Sequence, residues 1–255
     1  MMFDSHIHTK FSTDSNMTLE EALLKGKEYN IGLVITEHMD TNHPGEGKFK
    51  FNIEDYFEEY GKYRNNNLLL GIELGMSRDF KEINREIIMN NPFDQVIGSL
   101  HFLGNKDIFE KSTYENREKN EVYKEYLESL LENIMNHTYI DILAHIDYIC
   151  RYGPFEDKEL YYDEHSDIID EIIKSCINNN IVMEINTRRF GLKAVKNNLF
   201  PIYKRYKELG GKNISIGSDA HVKEHIGNNF SLATEISTSL DLKVVYFKDR
   251  KMNYL

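Results

Sequence analysis

Seven brief runs rich in Ile, Val and Leu recur along the chain, separated by longer stretches of helical periodicity, and this alternation restricts the fold more than any other feature. The runs are Met2–His6, Gly32–Thr36, Leu68–Glu73, Gln95–Ser99, Asp141–Ala144, Val182–Asn186 and Ile214–Ser218. Short, continuously apolar segments of this kind suit parallel strands covered on both faces. Between them, Thr18-Leu19-Glu20-Glu21 reads as a capping box opening a helix that ends near Asn30-Ile31-Gly32. Asn52 and Asp79 stand where the second and third helices would be capped, and Glu115 to His137 places Val122, Tyr126, Leu127, Leu130 and Ile134 on one face. Glu164–Asn179 and Leu199–Leu209, the latter closed by Gly210-Gly211, are the remaining helical segments. No internal repeat, low-complexity tract or linker divides the 255 residues, so the expectation is one α/β domain over 1–255 whose parallel sheet is open or closed into a barrel.

The polar residues at the strand ends decide between the two. His6 and His8 follow the first strand, His38 the second, and Glu73 ends the third; His101 and His145 follow the fourth and fifth, and Asp219 and His221 the seventh. An open sheet would spread these along a line too long for one site, whereas a β/α barrel gathers them at the C-terminal mouth. A lone histidine is ordinarily a surface residue or a satisfied core residue, and His43, His137, His165 and His225 are read that way. Packing does not account for six histidines at strand ends, because buried imidazoles need partners. Imidazole with carboxylate and no thiolate suits Zn, Mn, Fe or Co. Cys150 and Cys176 form no C-x-x-C pair and read as reduced thiols. The candidates outnumber the ligands of one ion, which points to a carboxylate bridging paired ions, a standard device for activating water and clamping a phosphoryl group.

The formal net charge of −11 argues against a nucleic-acid groove or an anionic membrane surface, and bound cations would offset part of it. Met1-Met2-Phe3-Asp4 turns charged at once, unlike a signal peptide, and no apolar run approaches the ~18 residues of a spanning helix. A cytoplasmic protein is the expectation.

Asp4-Ser5-His6-Ile7-His8-Thr9, Ile35-Thr36-Glu37-His38, Gly71-Ile72-Glu73, Gly98-Ser99-Leu100-His101-Phe102, Ala144-His145-Ile146-Asp147 and Gly217-Ser218-Asp219-Ala220-His221 together resemble the motifs of the polymerase and histidinol phosphatase (PHP) superfamily. Within it the chain is similar to the histidinol-phosphatase branch, in order, from about residue 1 to residue 225. The resemblance implies a distorted seven-stranded β/α barrel with up to three divalent metals. By motif, His6, His8, Glu73 and Asp219 would bind the first ion, Glu73 would bridge to a second held by His101 and His145, and Asp14, His38 and His221 would hold the third. Many relatives carry histidine where Asp14 stands, so the count is two or three, and Asp14 also suits a plain turn in Ser12-Thr13-Asp14-Ser15. Asp4 and Glu37 would orient ligating imidazoles, and Asp4 equally suits capping a backbone turn. Arginines in two loops of that branch bind substrate phosphate, which singles out Arg151 and Arg188. Arg189 is the alternative to Arg188, since neighbours on an extended segment face opposite ways.

The activity implied is phosphomonoester hydrolysis by metal-activated water, with histidinol phosphate of histidine biosynthesis as the leading substrate. Glu73, Asp219 and His221 are the candidate catalytic residues, with a metal-bound water or His221 as the proton source for the departing alkoxide. The loops Phe102–Glu115 and Ile146–Asp163 supply an acidic, aromatic rim: Glu110, Glu115, Tyr152, Phe155, Glu156, Tyr161 and Tyr162. A nucleotide or phosphotyrosine would be served by the same metal motifs. A polymerase-associated nuclease module lacks its basic tract here, and an amidohydrolase acting on C–N bonds would commonly bridge its metals with a modified lysine where Glu73 stands. A small phosphorylated partner is expected, and a homo-oligomer is compatible with the sequence.

Overall fold

A computed structural model describes residues 1–191 and 193–255. In chain order the strands are β1 (Phe3–Ile7), β2 (Gly32–Met39), β3 (Leu68–Gly75), β4 (Val96–Ser99), β5 (Phe102–Leu103), β6 (Lys106–Asp107), β7 (Ile142–Leu143), β8 (Val182–Asn186), β9 (Asn213–Gly217), β10 (Lys243–Lys248) and β11 (Lys251–Tyr254). The α-helices are α1 (Leu19–Tyr29), α2 (Ile53–Tyr60), α3 (Lys81–Asn90), α4 (Lys119–Asn136), α5 (Ser166–Asn178), α6 (Lys193–Glu208) and α7 (Phe230–Ser239). Nine strands form one sheet in the order β1-β2-β3-β4-β7-β8-β9-β10-β11, all parallel except the final β10–β11 pair. The residues beyond β9 return to β1: His8 donates its N–H to the Ala220 carbonyl (2.9 Å), and Asp219 donates to that of His6 (2.8 Å). The strand ends bearing His6, His8, Asp219 and His221 are thereby neighbours.

Local chemistry accounts for the better-defined boundaries. Thr18 and Glu21 form the reciprocal capping box at the start of α1, and Asn30 closes that helix in the left-handed conformation. Asn52 accepts from the N–H groups of Glu54 and Asp55 to start α2. Asp79 does not cap α3; it lies in the single 3-10 turn Arg78–Phe80, and Phe80 occupies the cap position without a side-chain bond. α4 begins four residues later than Glu115, because a 3-10 turn and the left-handed Asn116 occupy the approach. α6 begins earlier than Leu199, with Pro201 inside it. α7 and the hairpins β5–β6 and β10–β11 add to the seven-strand expectation. Among the described residues, no helix is long and apolar enough to cross a membrane.

The terminal hairpin seals one end of the parallel run. Val245 and Phe247 pack with Ile97, Ile142, Ala144 and Val182, while Tyr246 packs on Phe3, Val34 and Leu69. Its turn is fastened by Arg250, whose Nε donates to Asp141 (2.6 Å) and whose backbone N–H donates to the Asp94 carbonyl (2.9 Å). Phe247→Ala should therefore cost about 3–5 kcal/mol in urea unfolding, the range for emptying a large core aromatic. A loss below ~1 kcal/mol would mean that the hairpin contributes little to the core.

Candidate metal centre

The nine residues singled out as metal ligands meet in one cluster, eight of them drawn from strand ends on different parts of the chain and Asp14 from the turn between β1 and α1. His6, His8, His38, Glu73, His101, His145, Asp219 and His221 are buried, and Asp14 is the exposed member. Glu73 lies at the centre. Its Oε2 is 2.8 Å from His38 Nδ1, 3.3 Å from His8 Nε2 and 3.4 Å from His6 Nε2. Its Oε1 is 3.1 Å from His145 Nε2 and 3.4 Å from His101 Nε2, and accepts from Ser99 Oγ at 2.6 Å. Asp219 Oδ1 lies 3.6 Å from His8 Nε2, and Asp14 bridges His221 Nε2 (3.0 Å) and His38 Nε2 (3.6 Å).

Apart from the His145 Nε2–Glu73 Oε1 hydrogen bond, the imidazole nitrogens facing Glu73 are close to it without being bonded. His6 Nε2, His8 Nε2, His38 Nδ1, His101 Nε2 and Glu73 Oε2 are buried and have no hydrogen-bond partner, so even the 2.8 Å approach of His38 to Glu73 lacks hydrogen-bond geometry. Buried polar atoms are normally satisfied, and a group of them facing one another is a poor core but a good cation cage. Four sets of three donor atoms lie within 4.8 Å of each other: His8-His38-His221, His6-His145-Asp219, His6-His8-Glu73 and His38-Glu73-His101. The donor set fits divalent cations of the Zn, Mn, Fe or Co type.

The far nitrogens of the rings are held by neighbours, which points the lone pairs inward. His6 Nδ1 donates to Glu184 Oε1 at 2.8 Å, and His101 Nδ1 donates to Asp40 Oδ1 at 2.9 Å. His8 Nδ1 reaches Ser12 Oγ at 3.1 Å, and Ser12 in turn donates to Glu37. Carboxylates behind ligating imidazoles fix the tautomer and raise ligand basicity. Asp40 and Glu184 are absent from the sequence-derived candidates. The available signals were a His-x-Asp spacing from His38 to Asp40 and a glutamate in the middle of an otherwise apolar strand. Close backbone approach makes room for both. A Cβ on Gly75 would stand 1.8 Å from Asp40 Oδ1, and one on Gly217 would stand 2.2 Å from Glu184 Oε1. Glu37 serves one step removed, accepting from Thr9 and Ser12 rather than from a ring. Asp4 caps backbone, accepting from the N–H groups of Ser218 (2.9 Å) and Gly227 (2.9 Å).

Electrostatics follow the same geometry. Burial pushes the Glu73 carboxyl up, yet His6, His38 and His101 outweigh it and hold the group well below the usual carboxylate range. Burial, reinforced by His38 and His221, holds His8 well below its ordinary value, and burial with Arg151 lowers His145. A neutral imidazole offers the lone pair that a cation requires.

Two arginines complete the recess, which Tyr148 and Tyr152 also line. Arg151 donates through Nη2 to Asp219 Oδ2 (2.5 Å) and Asn186 (3.2 Å), while its buried Nε has no acceptor. Arg188 donates to the Asp219 carbonyl (2.7 Å) and Oδ1 (3.0 Å). Arg189 departs from the substrate-side expectation and equally from a surface role. It is buried, and its guanidinium is committed to Asp147 and, at 2.5 Å, to Glu159. Of the expected rim, Glu110 and Tyr152 line the cleft beside the cluster; Glu115, Phe155, Glu156, Tyr161 and Tyr162 do not.

Comparison with known proteins agrees with this arrangement. A family profile described as PHP domain matches residues 4–188. Over 254 residues the chain is 50% identical to the probable histidinol-phosphatase of Clostridium acetobutylicum, covering 100% of both chains. It is 31% identical over 229 residues to the histidinol-phosphatase of Lactococcus lactis, covering 86% of this chain and 84% of that protein. The crystal structure of histidinol phosphate phosphatase from Lactococcus lactis, complexed with zinc, L-histidinol and phosphate, matches with a TM-score of 0.93 at 27% identity, over 99% of this chain and 98% of that one.

Glu73→Gln should preserve the fold, since the volume is nearly unchanged, but a neutral amide cannot balance cations on both sides. Elemental analysis should find metal content reduced relative to wild type, with an unaltered circular dichroism spectrum. Full metal content in the variant would remove Glu73 from the centre.

Proposed function

This chain belongs to the PHP domain family, and we propose that it is a metal-dependent phosphomonoesterase that hydrolyses histidinol phosphate. The observation that carries the proposal is the meeting, in one recess, of a metal-type cluster with two arginines, one of which holds a buried N–H donor lacking an acceptor. A phosphate oxygen is the acceptor such a donor lacks, and a guanidinium can grip two of them. Full-length identity of 50% to a probable histidinol-phosphatase supports the substrate.

In this reading the chain is one catalytic domain over 1–255, and its parallel run is a distorted seven-stranded barrel with the metals at the C-terminal strand ends. The backbone bonds joining β1 to the residues after β9 support closure. By motif, His6, His8, Glu73 and Asp219 would hold one ion, Glu73, His101 and His145 a second, and Asp14, His38 and His221 a third; the closeness of these side chains and zinc in the Lactococcus lactis structure support that reading. When bound, such ions supply the Lewis-acid charge that activates water and neutralises the phosphoryl oxygens. The residues do the rest. Arg151 and Arg188 bind and orient the phosphate, Asp219 keeps both guanidiniums pointed at the recess, and Ser99 fixes the rotation of the Glu73 carboxylate. Tyr148 lies against His101 and His145, with ring centroids 4.8 Å from each, and excludes water from that side.

Phosphate release should be fastest with histidinol phosphate when that substrate, a nucleotide and phosphotyrosine are each assayed with Mn, Zn, Fe and Co. A higher kcat/KM for either alternative would overturn the substrate assignment, and turnover undiminished by a strong chelator would overturn the metal dependence. Arg151→Ala and Arg188→Ala should each lower kcat/KM by roughly ten- to a hundredfold with metal content unchanged, the value of a charged hydrogen bond. Arg189→Ala should instead lower the melting temperature, because it strands Asp147 without its buried partner. Unaltered kinetics in both Arg151→Ala and Arg188→Ala would exclude them from phosphate binding.

A further inference from the structure

A cleft of about 430 Å³ opens beside the metal cluster and shares Asp14, His38, His101, Tyr148 and Tyr152 with it. Phosphate held by the ions and the two arginines would leave the alcohol half of the substrate facing this cleft. Its walls include Phe49, Phe102, Phe109 and Tyr152, flat apolar surfaces suited to a small ring and to cation–π contact. The carboxylates lining it are unequal. Asp14 faces His38 and His221, Asp40 gives both oxygens to His101 Nδ1 (2.9 and 3.1 Å), and Glu110 is exposed and bonded to Ser112.

Asp107 differs from these three. It is half-buried, and its Oδ1 accepts from the Phe109 N–H at 2.8 Å. Among the described residues no cation pairs with it, although Lys48 lines the same cleft. Its backbone is pinned: it pairs with Phe102 in the β5–β6 ladder, and its carbonyl accepts from Thr113 Oγ1 (2.6 Å) and the Glu110 N–H (3.0 Å). Burial pushes this carboxyl up from its ordinary value, a cost that a neighbouring positive charge would offset. We propose that Asp107 is the specificity-determining residue of this cleft, pairing with a cationic nitrogen carried by the alcohol half of the substrate. The proposal rests on the functional reading above and adds which residue selects the leaving group. Histidinol carries such a nitrogen in its ammonium group, and its imidazole is the ring that the aromatic walls would take.

The test compares KM for histidinol phosphate and for p-nitrophenyl phosphate, which has a flat leaving group and no cationic nitrogen, in the metal-loaded enzyme. Asp107→Asn keeps the acceptor for the Phe109 N–H, so the loop should hold its shape. It should raise KM for histidinol phosphate about tenfold or more and leave KM for p-nitrophenyl phosphate and inhibition by inorganic phosphate within about twofold. Asp107→Lys should widen the gap by repelling the cationic substrate alone. Equal losses on both substrates would make Asp107 a loop-shaping residue, and no loss on either would remove it from the cleft's selectivity; either result overturns the proposal. If the wild-type enzyme itself shows no preference for histidinol phosphate, the functional reading fails and this inference with it.

Discussion

Everything in this molecule is arranged around one buried carboxylate among five imidazoles. Glu73 is 1% exposed, and His6, His8, His38, His101 and His145 all approach within 3.4 Å of its two oxygens. In a low-dielectric interior that density of ionisable groups is costly unless each is paired. Protonated rings could neutralise the carboxylate but would repel one another. Neutral rings with divalent cations between them resolve both problems, and the inward-facing, unbonded nitrogens match that solution. The fold supplies the convergence: parallel strands of differing origin end together, and the register that sets His38 beside Glu73 on β2 and β3 is fixed by the ladder itself.

A second layer holds the first in place. Glu184 fixes the His6 ring and also accepts the His145 backbone N–H at 3.0 Å, so one side chain positions two histidines of the cluster from different strands. Asp40 does the same for His101, and both carboxylates approach backbone that is passable only because glycine stands at 75 and 217. Asp219 joins the imidazole cluster to the two arginines, since its oxygens face His8 as well as Arg151 and Arg188. At the opposite end of the strands, the β10–β11 hairpin covers the apolar interior, which frees the strand ends to carry polar chemistry.

The strand positions and most of the clustered histidines and carboxylates were legible because each is a polar break at the end of a run of Ile, Val and Leu; Asp14, in a turn beyond β1, is the exception. Arg188 and Arg189 do turn to different partners, but through a turn that follows β8 and not through the alternation of an extended segment. That Arg189 turns inward was not legible, because Asp147 and Glu159 are distant from it in sequence. Asp40 and Glu184 were illegible for a related reason. A carboxylate that orients a ligand has no spacing rule of its own, and its role depends on which ring the sheet brings opposite. The late hairpin had a readable alternation in Lys243–Lys248, with every second side chain buried from Val245 onward, but it lies outside the polar motifs that end near His225. Helix starts shifted where a 3-10 turn or a left-handed asparagine displaced the cap that composition suggested.

The central claim is that Glu73 lies between cations. Anomalous diffraction from crystals of the wild-type protein, recorded on both sides of the zinc, iron and manganese edges, tests it most directly. The account predicts at least two ions, with one oxygen of Glu73 directed to each, His6 and His8 on one side and His101 and His145 on the other. A single ion, or ions with Glu73 turned away from both, would contradict it.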